Sequence, residues 1–492
     1  MSQISVSNLT FCYDGSYDNI FENVSFQIDT DWKLGFTGRN GRGKTTFLNL
    51  LMGKYEYRGT IFSRVSFDYF PFDVSDGKQT ALDTAQSICG TEEIWKLNRE
   101  LSLLEVQPDA LDQPFETLSK GEQTKIMLAA LFLKENNFLL IDEPTNHLDM
   151  NARELVGNYL NGKHGFILVS HDRDFLDRCV DHILSINKTN IEIQKGNFSS
   201  WLRNKELQDQ YETAKNERLK KEIGRLSDAA KRTDRWSDQV EKTKLGTRNS
   251  GVKPDKGHIG HQAAKMMKRS KAIEARKLDA AEEKGKLLKN IETAEPLAIR
   301  PLAYHADRLV EANDLSIFYG NHVLFEPVQF QVCRGDRTAL CGKNGSGKSS
   351  ILKLLLGRDI SYTGRLSMGS QLKISYVSQD TSFLTGNLGQ YAENCGVDES
   401  LMKAILRKLD FSRTQFEKDM KDYSEGQKKK VLIARSLCEQ AHLYIWDEPL
   451  NFIDILSRMQ IEELILKYCP TMLFVEHDRS FLEHIATSRV EL

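Results

Sequence analysis

Two glycine-rich segments of one pattern constrain this chain more than any other feature. Gly38-Arg39-Asn40-Gly41-Arg42-Gly43-Lys44-Thr45 and Gly342-Lys343-Asn344-Gly345-Ser346-Gly347-Lys348-Ser349 both fit G-x-x-x-x-G-K-[ST]. Each follows a candidate strand, Lys33 to Thr37 and Thr338 to Leu340, and the first opens an apolar helix candidate, Thr46 to Met52. The two lysines lie 304 residues apart, Ser119 and Ser424 305, Asp142 and Asp447 305, and His171 and His477 306. Four landmarks in register within two residues predict a duplicated domain, not a solenoid, whose repeats are of about 20–50 residues.

The pattern has a direct chemical reading. Glycines let backbone N–H groups curl around phosphates, and the helix that follows adds the positive end of its dipole. Gly38, Asn40, Gly41, Gly43 and Thr46 would cradle the phosphates of a nucleotide in the first copy, as would Gly342, Asn344, Gly345, Gly347 and Ser350 in the second. Lys44 and Lys348 would reach the β- and γ-phosphates, and the Thr45 and Ser349 hydroxyls would ligate Mg²⁺. Downstream, Phe138-Leu139-Leu140-Ile141-Asp142-Glu143 and Leu443-Tyr444-Ile445-Trp446-Asp447-Glu448 read as buried strands ending in two acids. Asp142 and Asp447 can hold Mg²⁺ through water, while Glu143 and Glu448 are placed to orient or deprotonate the attacking water. His171 and His477 follow later strands and read as γ-phosphate sensors. An acidic strand end that merely caps a helix is the plainer alternative, and the two glycine-rich loops weigh against it.

Charge divides the chain. Net charge is −2 over 492 residues, but residues 201–300 hold 25 Lys+Arg against 16 Asp+Glu, a net of +9, which leaves −11 elsewhere. Apolar residues recur at helical spacing through Leu219, Ile223, Leu226 and Ala230, and again through Ile273, Leu278, Ala281 and Leu288. Gly246, Gly251, Pro254 and Gly257 break the helix between them. A helical hairpin is expected, its first helix roughly 65 Å long if unbroken, with a tip near 244–262. Residues 242–271 carry nine Lys+Arg and one acid, Asp255. A passive spacer gains nothing from cations concentrated at its far end, so the tip reads as a polyanion contact. Lys244, Arg248, Lys253, Lys256 and His258 are the candidates. No apolar run approaches the ~18–20 residues needed to span a bilayer, and Met1 to Ser5 do not read as a signal peptide. The eight cysteines form no C-x-x-C pair, so buried free thiols in a reducing compartment are expected.

Further motifs carry a family resemblance. Leu118-Ser119-Lys120-Gly121-Glu122-Gln123 and Tyr423-Ser424-Glu425-Gly426-Gln427 resemble the ABC signature, each serine 23 residues before its strand-end Asp. The resemblance implies that each signature serves the opposite half, Ser424 and Gly426 completing the Lys44 site, and Ser119 and Gly121 the Lys348 site. It places Tyr13 and Tyr319 as adenine-stacking aromatics, Asp149 and Asp454 in D-loops, and Gln379 in a Q-loop toward Mg²⁺. Phe70 or Pro71 stands where the first half should have the equivalent glutamine.

Tandem ABC ATPase domains joined by a basic helical linker resemble the ABC-F family over essentially the whole chain. The implied fold is α/β: ATPase domains at 1–200 and 301–492 and a helical hairpin at 201–300, a monomer with an internal pseudo-dimer. The implied protein is a cytoplasmic ATPase that uses ATP and Mg²⁺, with the bacterial 70S ribosome, its 23S rRNA and P-site tRNA as partners, and neither membrane nor DNA. The short spacing from Lys44 to Ser119, 75 residues, and the long linker look like the Lsa group, which protects ribosomes from lincosamides, streptogramin A and pleuromutilins. Alternatives are an ABC-F translation factor acting without a drug, and the ATPase subunit of a drug exporter. A chromosome-maintenance ATPase fits poorly, because each half is complete.

Overall fold

The computed structural model describes residues 3–13, 19–74, 77–90, 93–146, 148–187, 190–243, 296–320 and 322–492, with 265, 268, 272, 275 and 276 besides. The chain divides into two compact units, Met1–Trp201 with Ala294–Leu492, and Leu202–Thr293.

The first unit holds the duplication. In the first half, the strands Ser66–Phe70, Asn137–Asp142, Phe166–Val169, Lys33–Thr37, His182–Asn187 and Asn190–Lys195 lie side by side in that order. The first five run parallel and the last is antiparallel. In the second half, Ile374–Val377, Leu443–Asp447, Met472–Val475, Arg337–Cys341 and Ser488–Glu491 repeat the order, all parallel. Parallel strands covered on both faces read as unbroken apolar runs. Phe138, Leu139, Leu140 and Ile141 are all buried, as are Leu443 to Trp446. Smaller antiparallel sheets, of three and four strands, accompany the two halves. Among the described residues, one buried apolar cluster gathers mainly around the strands of the first half and two around those of the second.

Functional loops lie at the carboxyl ends of the parallel strands, where ligands of open α/β sheets bind. Lys33–Thr37 and Arg337–Cys341 lead into the glycine-rich loops, then into helices Lys44–Leu51 and Lys348–Leu355. The strand ending in each acid pair is separated from the loop's strand by one neighbour.

The second unit is described through the helix Phe198–Thr243, whose 46 residues span about 69 Å. It starts a few residues earlier than the composition boundary, where Asn197 Oδ1 accepts from Ser200 N at 3.1 Å. Half-buried positions 212, 216, 219 and 223 form one stripe, which includes the expected Leu219 and Ile223. The tip candidates Lys244, Arg248, Lys253, Lys256 and His258 lie outside the described residues, as does most of the expected second helix. One expectation is corrected: of the eight free cysteines, Cys89, Cys179 and Cys341 are buried, but Cys12 and Cys469 are exposed.

Candidate nucleotide sites

Both glycine-rich loops fold as their sequences demand. Gly43 and Gly347 adopt φ of 92° and 98°, and a Cβ would come within 2.5 Å of Ile20 at the first and 2.9 Å of Phe325 at the second. Lys44 Nζ donates to Gly38 O at 2.7 Å and contacts Asn40 Oδ1 at 3.4 Å. Lys348 Nζ donates to Gly342 O at 2.8 Å and Lys343 O at 2.7 Å. Burial pulls both lysines below the ordinary range, opposed by Asp454, Glu143 and Asp142 at the first and by Glu448, Asp149 and Asp447 at the second.

The acid pairs meet the loops. Thr45 Oγ1 donates to Asp142 Oδ2 at 2.9 Å, and Ser349 Oγ to Asp447 Oδ1 at 3.2 Å. Glu143 and Glu448 both sit in the left-handed region, at φ of 51° and 46°. That costs on the order of 1 kcal/mol or more at a non-glycine residue and is held by the surrounding structure. His171 Nε2 lies 3.3 Å from Glu143 Oε1, and His477 Nε2 lies 3.5 Å from Glu448 Oε1. Tyr13 and Tyr319 are half exposed beside the loop helices, their hydroxyls 2.7 Å from Thr46 Oγ1 and 3.2 Å from Ser350 Oγ.

Ser119 and Ser424 are helix N-caps in capping boxes. Each hydroxyl accepts from an N–H three residues on, at 3.3 Å, while Glu122 and Gln427 return to the serine N–H at 3.0 Å. This fixes the N-terminus of each signature helix. The loops then meet the opposite half. Asn40 Nδ2 donates to Phe452 O at 2.8 Å, and a Cβ on Gly426 would fall 2.4 Å from that same carbonyl and 2.8 Å from Asn40. Arg39 and Arg42 reach Asp410 Oδ1 at 3.7 and 3.4 Å. Across the other pairing, a cavity of about 830 Å³ is lined by Ser119, Gly121, Asp149, Tyr319, Lys348 and Glu448, among others. That volume is in the range of small-molecule sites.

The two glutamates differ. Glu448 Oε2 accepts from Gln379 Nε2 at 2.9 Å and Asn451 Nδ2 at 2.6 Å. Burial pushes its carboxyl up, but His477, Lys429 and Gln379 outweigh it and hold the group below the usual range. Both carboxylate oxygens of Glu143 are buried without a hydrogen-bonded partner. Burial, then repulsion from Asp142, pushes this carboxyl up to about 8. Burial also lowers His171 well below its ordinary value, Lys44 adding to the effect, so its imidazole is neutral at pH 7. Asp447 is pushed up to about 6 by burial, and burial holds the Tyr69 phenol above the ordinary tyrosine range.

Threonine or serine hydroxyls paired with carboxylates are hard-oxygen sets suited to Mg²⁺, and the unpartnered Glu143 oxygens lie beside one of them. Among the described residues no cluster of three or more His, Cys, Asp or Glu could hold a metal. The hydroxyl and carboxylate pairs fit the ion.

Several participants escaped the motif reading. Lys429 Nζ is buried and donates to Ser378 O at 2.9 Å and Glu448 O at 3.0 Å. Lys430 Nζ pairs with the D-loop Asp454 at 2.6 Å. Arg153 and Arg458 each bridge a D-loop carbonyl to the aspartate after the sensor histidine, Asp172 or Asp478. Their 305-residue offset was the available signal. The Q-loop position is corrected: Phe70 pairs with Ile141 as Val377 pairs with Trp446, so Phe72, not Phe70 or Pro71, stands where Gln379 stands in the second half.

Comparison with known proteins agrees with this geometry. The ABC transporter family model matches residues 21–146 and 325–451. The chain belongs to that family. It is an ATPase with two tandem ABC domains. It is 26% identical to the ribosome protection protein VmlR of Bacillus subtilis, over 99% of this chain and 86% of the relative. It is also 26% identical to the energy-dependent translational throttle protein EttA of Haemophilus influenzae, over 95% of this chain and 88% of that one. The tandem domains and these relatives support membership of the ABC-F family. An archaeal ribosome recycling factor, aABCE1, solved with the ribosomal stalk protein aP1, shares the fold at a TM-score of 0.62. Its identity is 17%, and the match covers 98% of this chain and 89% of that one.

Proposed function

We propose that this ATPase acts on the bacterial 70S ribosome and protects it from antibiotics of the peptidyl-transferase centre. The observation that carries the ATP-driven part is the crossed pairing, each glycine-rich loop set against the signature region of the other half. ATP placed between a loop and a facing signature would bond both halves, so closure and nucleotide binding are one event. Mg²⁺, held by Thr45 with Asp142 and by Ser349 with Asp447, would neutralise phosphate charge at each site. Tyr13 and Tyr319 would stack on adenine. Glu143 and Glu448 would position the attacking water, and His171 and His477 would lie against the γ-phosphate. Hydrolysis then reopens the halves.

The ribosome enters through the relatives' names and the basic insert. A net of +9 over residues 201–300 suits the dense phosphates of 23S rRNA and P-site tRNA. The closed form would occupy the tRNA exit site, and the tip carrying Lys244, Arg248, Lys253, Lys256 and His258 would displace P-site tRNA and reshape the drug pocket. The Lsa-like motif spacing points to lincosamides, streptogramin A and pleuromutilins, and to action in the cytosol. Domain limits of 1–200, 201–300 and 301–492 belong to the same reading.

Equal identity to EttA supports a second reading, a translation factor that acts without any drug. Expression in a susceptible host separates the two. A rise in inhibitory concentration for clindamycin-type or pleuromutilin drugs, absent from E143Q/E448Q, is the expected result; no rise favours the second reading. A third reading is the ATPase subunit of a drug exporter; no described helix is long and apolar enough to cross a membrane. Unchanged drug accumulation in resistant cells counts against that third reading.

A further inference from the structure

In the second half, Gln379 lies two residues beyond the strand Ile374–Val377 and donates to Glu448 Oε2 at 2.9 Å. The strand register gives that place to Phe72 in the first half. A phenyl ring donates no hydrogen bond, and Lys134 Nζ lies 5.8 Å from its centroid. The polar contact to the first acid pair comes from three residues earlier. Tyr69 OH donates to Asp142 Oδ2 at 2.9 Å, the same oxygen that accepts from Thr45 Oγ1 at 2.9 Å. The register equivalent, Tyr376, lies near enough to Asp447 to feel its charge but gives its hydroxyl to Ser378, while Asp447 accepts from Ser349. The same residue type at the same strand position therefore engages the acid pair in one half and a neighbouring loop in the other.

We propose that Tyr69 is a positioning residue that orients Asp142 toward Mg²⁺ at the first nucleotide site, where no Q-loop glutamine is present. The inference rests on the reading of Thr45 and Asp142 as the residues that hold the ion. Thr45 would give its oxygen to the metal. Tyr69 is then the donor that stays on the carboxylate and fixes its rotamer. Partners of this kind orient a metal's carboxylate ligands and typically contribute about 10–100-fold to metal affinity. Tyr69 lies on the strand Ser66–Phe70, which is hydrogen bonded to the strand carrying Asp142. Both ends of the contact are therefore held by one sheet. Tyr69→Phe removes the hydroxyl and keeps the ring, so packing is conserved.

The test uses the full chain carrying Lys348→Ala, which silences the second site. Binding of a fluorescent ATP analogue is titrated with Mg²⁺ and repeated in EDTA. Tyr69→Phe is expected to raise the Mg²⁺ half-saturation about tenfold while leaving affinity in EDTA unchanged. Tyr376→Phe, tested at the second site in a Lys44→Ala chain, is expected to leave the half-saturation within about twofold. An unchanged half-saturation in Tyr69→Phe would overturn the inference, as would an equal loss of affinity in EDTA, which would mean a packing role. Failure of the Lys348→Ala parent to bind nucleotide with Mg²⁺ would overturn the underlying reading of the first site, and the inference with it.

Discussion

The two nucleotide sites carry nearly the same letters and stand in different surroundings. At the first, Asn40 and Gly426 are in contact, Arg39 and Arg42 converge on Asp410, and Glu143 is buried without a hydrogen-bonded partner. At the second, a cavity of about 830 Å³ separates Lys348 from Ser119, and Glu448 is held by Gln379 and Asn451. A motif fixes which atoms can meet a phosphate. Whether the strand-end carboxylate is ready to accept a proton depends on the side chains around it, and there the halves diverge. Arg39 and Arg42 have Lys343 and Ser346 as counterparts, and Gln379 has Phe72.

The largest expected effect removes both sites together. E143Q/E448Q should lower steady-state ATP turnover by at least about 100-fold, measured as phosphate release, while nucleotide binding persists. The single variants sharpen the contrast. Glu448 is framed by donors and already ionised at neutral pH, whereas Glu143 keeps its proton there, so E448Q alone should cost about 100-fold and E143Q alone less than about tenfold. Equal losses would make the sites equivalent and break the comparison. Next, N451A removes a donor at 2.6 Å from Glu448 and should cost about tenfold in turnover. N146A, in the equivalent place beside Glu143, should cost about twofold or less.

Acidity separates the glutamates in stability as well. The Glu143 carboxyl is raised from its unfolded value of 4.5 to about 8. The folded state therefore keeps this proton where the unfolded state has lost it, and stability declines as pH rises through that window. The melting temperature of E143Q should fall less than the parent's between pH 6 and 9. Glu448 is shifted the other way. Its contribution is present above its unfolded value and lost on acidification, so E448Q should track the parent over the same range. The smallest effect is at the clamp on the first loop. Asp410 is partly exposed, so D410N should change stability by no more than about 1 kcal/mol in a denaturant titration.

The duplicated landmarks were legible in the sequence because glycine-rich loops, strand-end acids and capping serines depend on local backbone geometry. The buried parallel strands were legible as continuous apolar runs, but their order in the sheet was not. The sequence showed that a Q-loop glutamine was missing, but register moved its place from Phe70 or Pro71 to Phe72. Tyr69, Asn451 and Lys429 were not legible. Tyr69 and Lys429 meet partners 73 and 19 residues away through tertiary packing, and Asn451, three residues from Glu448, turns back to it through the conformation of the intervening loop. Asp410 was hidden for the same reason: its partners Arg39 and Arg42 lie in the other half, more than 360 residues away in sequence.

On the proposed function, ATP-driven closure makes this chain a ribosome ligand. The direct measurement is co-sedimentation of E143Q/E448Q with bacterial 70S ribosomes at moderate salt, with and without ATP. Pelleting with ribosomes only when ATP is present is the predicted result. Absence of the protein from the ribosome pellet in both conditions would contradict it.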